Sequence, residues 1–326
     1  MATAYVENMT YLGEPAIRAG NERMEIILVP GWGSNLISIF HKEKNASLLR
    51  TPKSREEFWE NPVLYGTPIL FPPNRIGDGR FTFNGRTYHF DMNEKDKRNH
   101  LHGFLYREKW ERVRAEVKND RVVLETEIDS TVHPEIVRQF PHPFTVRMTY
   151  LLEGERIQQN ATILNRDKEA FPWGLGYHTT FLFPEDACTF SLTAEKRWIL
   201  NERLLPTGEL EEIEDREQWQ KGIRLKERAL DDAFLSSASP RGRNEAVIAN
   251  ERLGLRITYW ADENFKHWVV YNADGKQGFV CPEPYTWVTN APHLDLPPSL
   301  TGLRVLAPGE QITIKTGISV SVDSRD

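Results

Sequence analysis

Several short segments carry side chains able to move protons or hold a polar ligand. His100-Leu101-His102-Gly103 places two imidazoles two residues apart. On a strand such positions face the same side, so both rings are expected at one site. His178 lies in Trp173-Gly174-Leu175-Gly176-Tyr177-His178-Thr179-Thr180-Phe181, where glycines let the backbone come close to a neighbour. Glu283 stands between Pro282 and Pro284, and a carboxylate so framed loses little entropy on ordering. Asp231-Asp232-Ala233-Phe234 sets two carboxylates before an aromatic, and Pro72-Pro73-Asn74-Arg75-Ile76-Gly77 holds a cation in a proline-bounded loop.

Taken singly, each segment also has an ordinary structural reading. A lone histidine in a β protein is more often a hydrogen-bonded structural group, and Asp-Asp is usually a solvated turn. Glu between prolines fits an exposed loop, and Arg75 can simply pin its own loop. His41, His89, His133, His142, His267 and His293 are read as structural. Two combinations suggest other chemistries. His100, His102 and Glu108 resemble a cupin-like ligand set for a divalent metal, and Asp231 with Glu283 can form the carboxylate pair of a glycoside hydrolase.

The elements that must position these groups are mostly strands. Asn84-Gly85 supplies two positive-φ positions between aromatic and β-branched arms over residues 81–90, the signature of a tight hairpin. A second hairpin is expected at Glu153-Gly154-Glu155. Its outgoing arm carries Ile157, Ala161 and Ile163 on one parity, with Gln158, Asn160 and Thr162 on the other. After Pro308-Gly309, the residues Ile312, Ile314, Ile318, Val320 and Val322 share one parity. Residues 121–128 and 255–260 read as further strands. Helical signals are few: a capping box at Ser54-Arg55-Glu56-Glu57 starts a short helix through Phe58 and Trp59, and residues 211–220 read as a surface helix or excursion. Recurrent strands and turns with so little helix indicate an all-β fold, a large antiparallel β-sandwich. With no linker, low-complexity tract or internal repeat, residues 1–326 are read as one domain.

Bulk composition narrows the partners. The net charge of −6 argues against nucleic acid, which needs a concentrated basic face. Cys188 and Cys281 show no metal spacing and form no disulfide framework, which suits two buried thiols in a reducing cytoplasm. The first residues lack a basic start and an apolar stretch, so no signal peptide is expected. No apolar run reaches the roughly 20 residues that span a bilayer.

Asn74-Arg75, Gly79-x-Phe81, His102-Gly103-Phe104, the 176–181 segment, Asp231-Asp232-Ala233-Phe234 and Pro282-Glu283-Pro284 occur in this order. Together they resemble the aldose 1-epimerases, or galactose mutarotases, over roughly residues 25–320. The resemblance implies the galactose mutarotase-like supersandwich, no cofactor or metal, and a small sugar as partner to a monomer or homodimer. It implies anomer exchange with Glu283 as general base, His178 as general acid and His102 near the ring oxygen. Arg75, Asp231 and Asn74 would hold sugar hydroxyls, and Asp232 competes with Asp231 for that place. At neutral pH an ordinary Glu is ionised, and carboxylates near His178 are expected to raise its pKa and keep it protonated. Trp173, Tyr177, Phe104 or Trp287 would offer the sugar an apolar face. The sequence departs from the family's common pattern at Phe104, where a second Gly is frequent, and at Tyr285, where many members have Gln. The His-Gly-Phe form also resembles the hexose-6-phosphate 1-epimerase branch, with Arg75, Arg80 and Arg107 around a phosphate. A sugar-binding protein without turnover needs no acid–base pair, which sets Glu283, His102 and His178 against that reading.

Overall fold

The computed structural model describes residues 4–226, 228–236, 242 and 244–322. Its centre is two antiparallel sheets. The first has eight strands, in spatial order Glu111–Lys118, Arg121–Asp129, Phe144–Glu153, Arg156–Asn165, Gln311–Val322, Leu255–Ala261, Glu245–Asn250 and Cys188–Leu192. Alternation builds its inner face. Phe144, Val146, Met148, Tyr150 and Leu152 are buried on one strand, and Ile157, Ala161 and Ile163 on the next, while Gln158, Asn160 and Thr162 face outward. The C-terminal strand follows suit, with Ile314, Ile318 and Val320 buried.

The second sheet runs Pro206–Glu212, Ala194–Leu200, Asp231–Ser236, His267–Tyr271, Phe279–Tyr285, Gly176–Tyr177 and Ile69–Leu70, with Phe181–Leu182 also paired to Phe279–Tyr285. The two sheets face each other across one apolar core. Tyr259 on the first meets Trp268 on the second with ring centroids 5.8 Å apart, edge to face. A five-stranded sheet over residues 5–47 completes the N-terminal part.

The hairpin strands Arg80–Phe83 and Arg86–His89 turn at Asn84 and Gly85, both at positive φ (47° and 77°), as the Asn-Gly pair predicts. Ser54 caps the helix Arg55–Glu60: its Oγ accepts the Glu57 amide at 3.2 Å. Residues 211–220 depart from expectation. Glu211 and Glu212 end a strand, and the helix is only Arg216–Lys221. Helices Pro134–Gln139 and Pro298–Thr301 leave no amphipathic pattern because they are too short to repeat one. Among the described residues, no helix is long and apolar enough to cross a membrane.

Candidate active site

Glu283 sits inside the sandwich rather than on a loop. Its strand, Phe279–Tyr285, is buried along its whole length and pairs with His267–Tyr271 through Val269↔Glu283. On the other side it meets Phe181–Leu182 at one end and Gly176 at the other. Between those points the neighbouring chain bows away, so Pro282 and Pro284, which have no N–H for a ladder, fall opposite the gap. His178 is delivered by the bowed segment and anchored by its amide on the Pro68 carbonyl at 3.1 Å. The glycines before it serve two aromatic rings. A Cβ on Gly174 would lie 2.3 Å from the Trp287 ring, and one on Gly176 2.2 Å from Tyr285. His178 Nε2 ends 3.2 Å from Glu283 Oε1, both side chains almost fully buried.

The remaining groups come from loops. His102 takes a positive φ of 71° just after the strand Asn99–Leu101, and its amide donates to the Asn74 carbonyl at 2.8 Å. Its ring stands perpendicular to that of His178, centroids 5.2 Å apart. Its buried Nδ1 has no hydrogen-bond partner among the described residues. Arg75 is clamped from both sides. Its Nε and Nη2 donate to the Glu94 carboxylate at 3.0–3.1 Å, and Nη2 donates to Asp231 at 3.2 Å. Asn74 accepts the Arg75 amide on Oδ1 at 2.9 Å and offers Nδ2 to the Tyr285 hydroxyl at 3.2 Å. Asn74, Arg75, His102, His178, Asp231 and Glu283 all line one cavity of about 490 Å³. Small-molecule sites usually fall between about 300 and 1,000 Å³.

Burial governs the charges here. Loss of water pushes the Glu283 carboxyl well above the usual carboxylate range, with Asp231 adding to the rise and the Tyr285 hydroxyl opposing it. The same loss pushes the His178 imidazole down to about 4. His102 is also held well below its ordinary value, by burial and then by the cation-forming neighbours His178 and Arg75. The expectation that carboxylates raise the pKa of His178 is therefore corrected: burial, with the Arg75 charge adding to it, moves the imidazole downward. Burial thus favours the neutral form of both histidines, and within the Glu283–His178 pair it favours the proton on the carboxyl.

Other expectations are corrected by placement. His100 does not share the site. The strand ends at Leu101, and the turn at His102 breaks the alternation, so the His100 ring packs on Phe90 and its Nδ1 lies 2.7 Å from the Asp91 carbonyl. Glu108 engages His133 at 2.7 Å, so the ligand set His100–His102–Glu108 is not assembled. Asp231 lines the cavity while Asp232 pairs with Arg197 at 3.3 Å. Arg80 lies on an exposed hairpin position away from the cavity. Trp173, Tyr177, Phe104 and Trp287 are core residues; the aromatics on the cavity wall are Tyr106 and Tyr271. The grouping His142, Asp167 and Glu169 has metal-like spacing, but His142 is spent on Tyr88 at 2.8 Å and Asp167 at 2.5 Å, and Glu169 on Arg86. Glu94 is the residue that sequence reasoning missed. It sits in a charged loop that reads as a solvated surface, and only its bidentate hold on Arg75 reveals it.

The chain and its fold have known relatives. The family model described as aldose 1-epimerase matches residues 15–319. A galactose mutarotase-like protein from Clostridium acetobutylicum superposes with a TM-score of 0.93 at 27% identity, covering 98% of this chain and 99% of that one. Two more distant structures show the same fold. A galactose 1-epimerase from Lactobacillus acidophilus has a TM-score of 0.78 at 14% identity over 99% of both chains. An aldose epimerase homologue from C. elegans has a TM-score of 0.75 at 15% identity, covering 98% and 99%.

Proposed function

The chain belongs to the aldose 1-epimerase family, and from that premise we propose that it interconverts the α and β anomers of an unphosphorylated aldose. The observation that carries the reading is the 3.2 Å contact between His178 Nε2 and Glu283 Oε1 inside a sugar-sized cavity. Anomer exchange needs one proton removed from the C1 hydroxyl and one delivered to the ring oxygen, two atoms bonded to the same carbon. A base and an acid in mutual contact suit that task.

The steps balance on a single proton. The pair enters with Glu283 ionised and His178 protonated, a state reached from the resting one by a shift across the 3.2 Å contact. Glu283 takes the C1 hydroxyl proton as the bond from C1 to the ring oxygen breaks, and His178 protonates that oxygen. The aldehyde is now free to turn about C1–C2, and the pair stands in the distribution that burial favours. On closure His178 takes back the proton from the ring hydroxyl, and Glu283 returns one to the new C1 oxygen. Nothing is oxidised and no group is transferred. His102, beside His178 on the cavity wall, would hydrogen-bond near the ring oxygen, and Arg75 and Asp231 would hold hydroxyls.

The charges on the cavity wall favour a neutral sugar over a phosphate. Three carboxylates (Glu60, Glu94, Asp231) face three cations (Arg75, Lys97, Arg107), and the Glu283–His178 pair with its one proton carries no net charge. Arg75 is already neutralised by Glu94 and Asp231, so the wall has no free excess of positive charge for a phosphate. The pairing of Glu283 with an imidazole, rather than with a second carboxylate, likewise favours anomer exchange over glycoside hydrolysis. Polarimetry tests the proposal with freshly dissolved α-glucose and α-galactose beside their 6-phosphates, each against its spontaneous rate. Acceleration of a free hexose is expected. Acceleration confined to the phosphates would overturn the neutral-substrate reading, and no acceleration of any aldose would overturn the enzyme reading.

A further inference from the structure

We propose that Tyr285 is the positioning residue for Glu283: its hydroxyl, held by Asn74, claims one carboxylate oxygen and leaves the other to His178 and the substrate. The inference rests on the anomerase reading above and adds to it a part that neither the family resemblance nor that reading assigns.

The geometry runs through one chain of contacts. Glu283 and Tyr285 are two residues apart on one strand, so their side chains leave on the same side. The Tyr285 hydroxyl donates to Glu283 Oε2. Oε1 is the oxygen facing His178. The direction of the first bond is fixed from behind. Asn74 Oδ1 accepts the Arg75 amide at 2.9 Å, which turns the Asn74 NH2 toward the phenol at 3.2 Å. The phenol oxygen therefore accepts from Asn74, and its own hydrogen is left for Glu283. Tyr285 has no exposed surface, so no water competes for that hydrogen.

Two consequences follow for the chemistry. With Oε2 filled by a donor, the exchanging proton of Glu283 is confined to Oε1, the oxygen on the His178 side. A phenol bonded to a carboxylate also stabilises the ionised form and so moderates the rise that burial imposes. The hydroxyl is a durable donor, since burial and the carboxylate beside it push its own pKa well above the ordinary phenol value. The arrangement has a cost in the fold that explains a glycine. The Tyr285 ring occupies the space that a Cβ on Gly176 would need, so the segment delivering His178 must be bare at that point.

The test compares wild type, Tyr285→Phe and Glu283→Gln. Tyr285→Phe keeps the ring and removes only the donor. It is expected to lower kcat by roughly ten- to a hundredfold with KM changed by less than about twofold. In infrared titration, the protonated-carboxyl band of Glu283, assigned by its loss in Glu283→Gln, should persist about one pH unit higher in Tyr285→Phe than in wild type. A Tyr285→Phe enzyme with wild-type kcat and an unmoved carboxyl titration would overturn the proposal. If Phe at this position prevents folding, replacing Tyr285 by 3-fluorotyrosine keeps the shape and strengthens the donor. The band should then disappear at lower pH, and an unmoved band would overturn the proposal. A wild-type protein inactive on every aldose would sink the anomerase reading, while the infrared titration would still decide the role of Tyr285.

Discussion

His178 Nε2 lies 3.2 Å from Glu283 Oε1, although the two side chains come from segments far apart in the sequence. The contact exists because the chain around residues 176–182 bows off the strand Phe279–Tyr285 between two pairing points, and His178 occupies the bow. Both groups are shut off from bulk water, so neither carries a charge cheaply, and the pair is driven to share one proton. Its titration belongs to the pair more than to either member.

That sharing fixes a pH profile. Activity needs one proton on the pair: two leave no base and none leaves no acid. The acid limb of kcat/KM should fall near pH 4, where His178 gains a proton beside a protonated Glu283. The alkaline limb should fall well above the usual carboxylate range. An acid limb near about 6.5, the ordinary histidine value, would mean that His178 is solvated in the working enzyme.

Stability should respond to acid as well. Burial lowers the folded-state pKa of His100 and His178 to about 4 and of His267 to about 3. The unfolded chain takes up these protons first, near pH 6.5. The stability is therefore fully present above about pH 6.5 and is lost progressively as the pH falls toward those folded-state values. Urea unfolding at pH 7 and pH 5 checks this, with a lower midpoint expected at pH 5.

Glu283 has the opposite sign. Its folded pKa is raised, so its burial helps only below the unfolded carboxylate value and becomes a cost as the pH rises through the folded one. Glu283→Gln should keep the Tyr285 contact and remove the cost, raising the melting temperature at pH 8 by about 2 °C or more. A clear loss of stability would show that the charge is better compensated than the surroundings of the carboxyl indicate.

Glu283, His178, His102, Asn74, Arg75 and Asp231 were recognisable in the sequence because short motifs occur in a characteristic order, and the fold gathers all of them around one cavity. The strands were legible wherever one face is buried and the other wet, as at Ile157, Ala161 and Ile163. The protonation of the site was not, since it depends on burial depth that residue identity does not carry. Strand alternation alone would set His100 beside His102, but His102 turns to positive φ directly after Leu101 and the two side chains part. Glu94 was invisible because charged loops are usually solvated.

The clamp on Arg75 makes a mutational prediction. Asp231→Asn and Glu94→Gln each loosen the guanidinium, and each should raise KM by roughly fivefold to tenfold with a smaller change in kcat. Asp232→Asn leaves the clamp intact, because Asp232 pairs with Arg197. It should change KM by less than about twofold. Steady-state kinetics on the preferred aldose reads all three, and an effect of Asp232→Asn equal to that of Asp231→Asn would reverse the assignment.

The most direct test of the acid–base pair is the anomerisation rate of Glu283→Gln and His178→Asn beside wild type, followed by polarimetry on the preferred α-aldose. Circular dichroism should match across the three. Each substitution should slow the enzymatic rate by about a hundredfold or more. Wild-type turnover in a correctly folded Glu283→Gln protein would contradict the account.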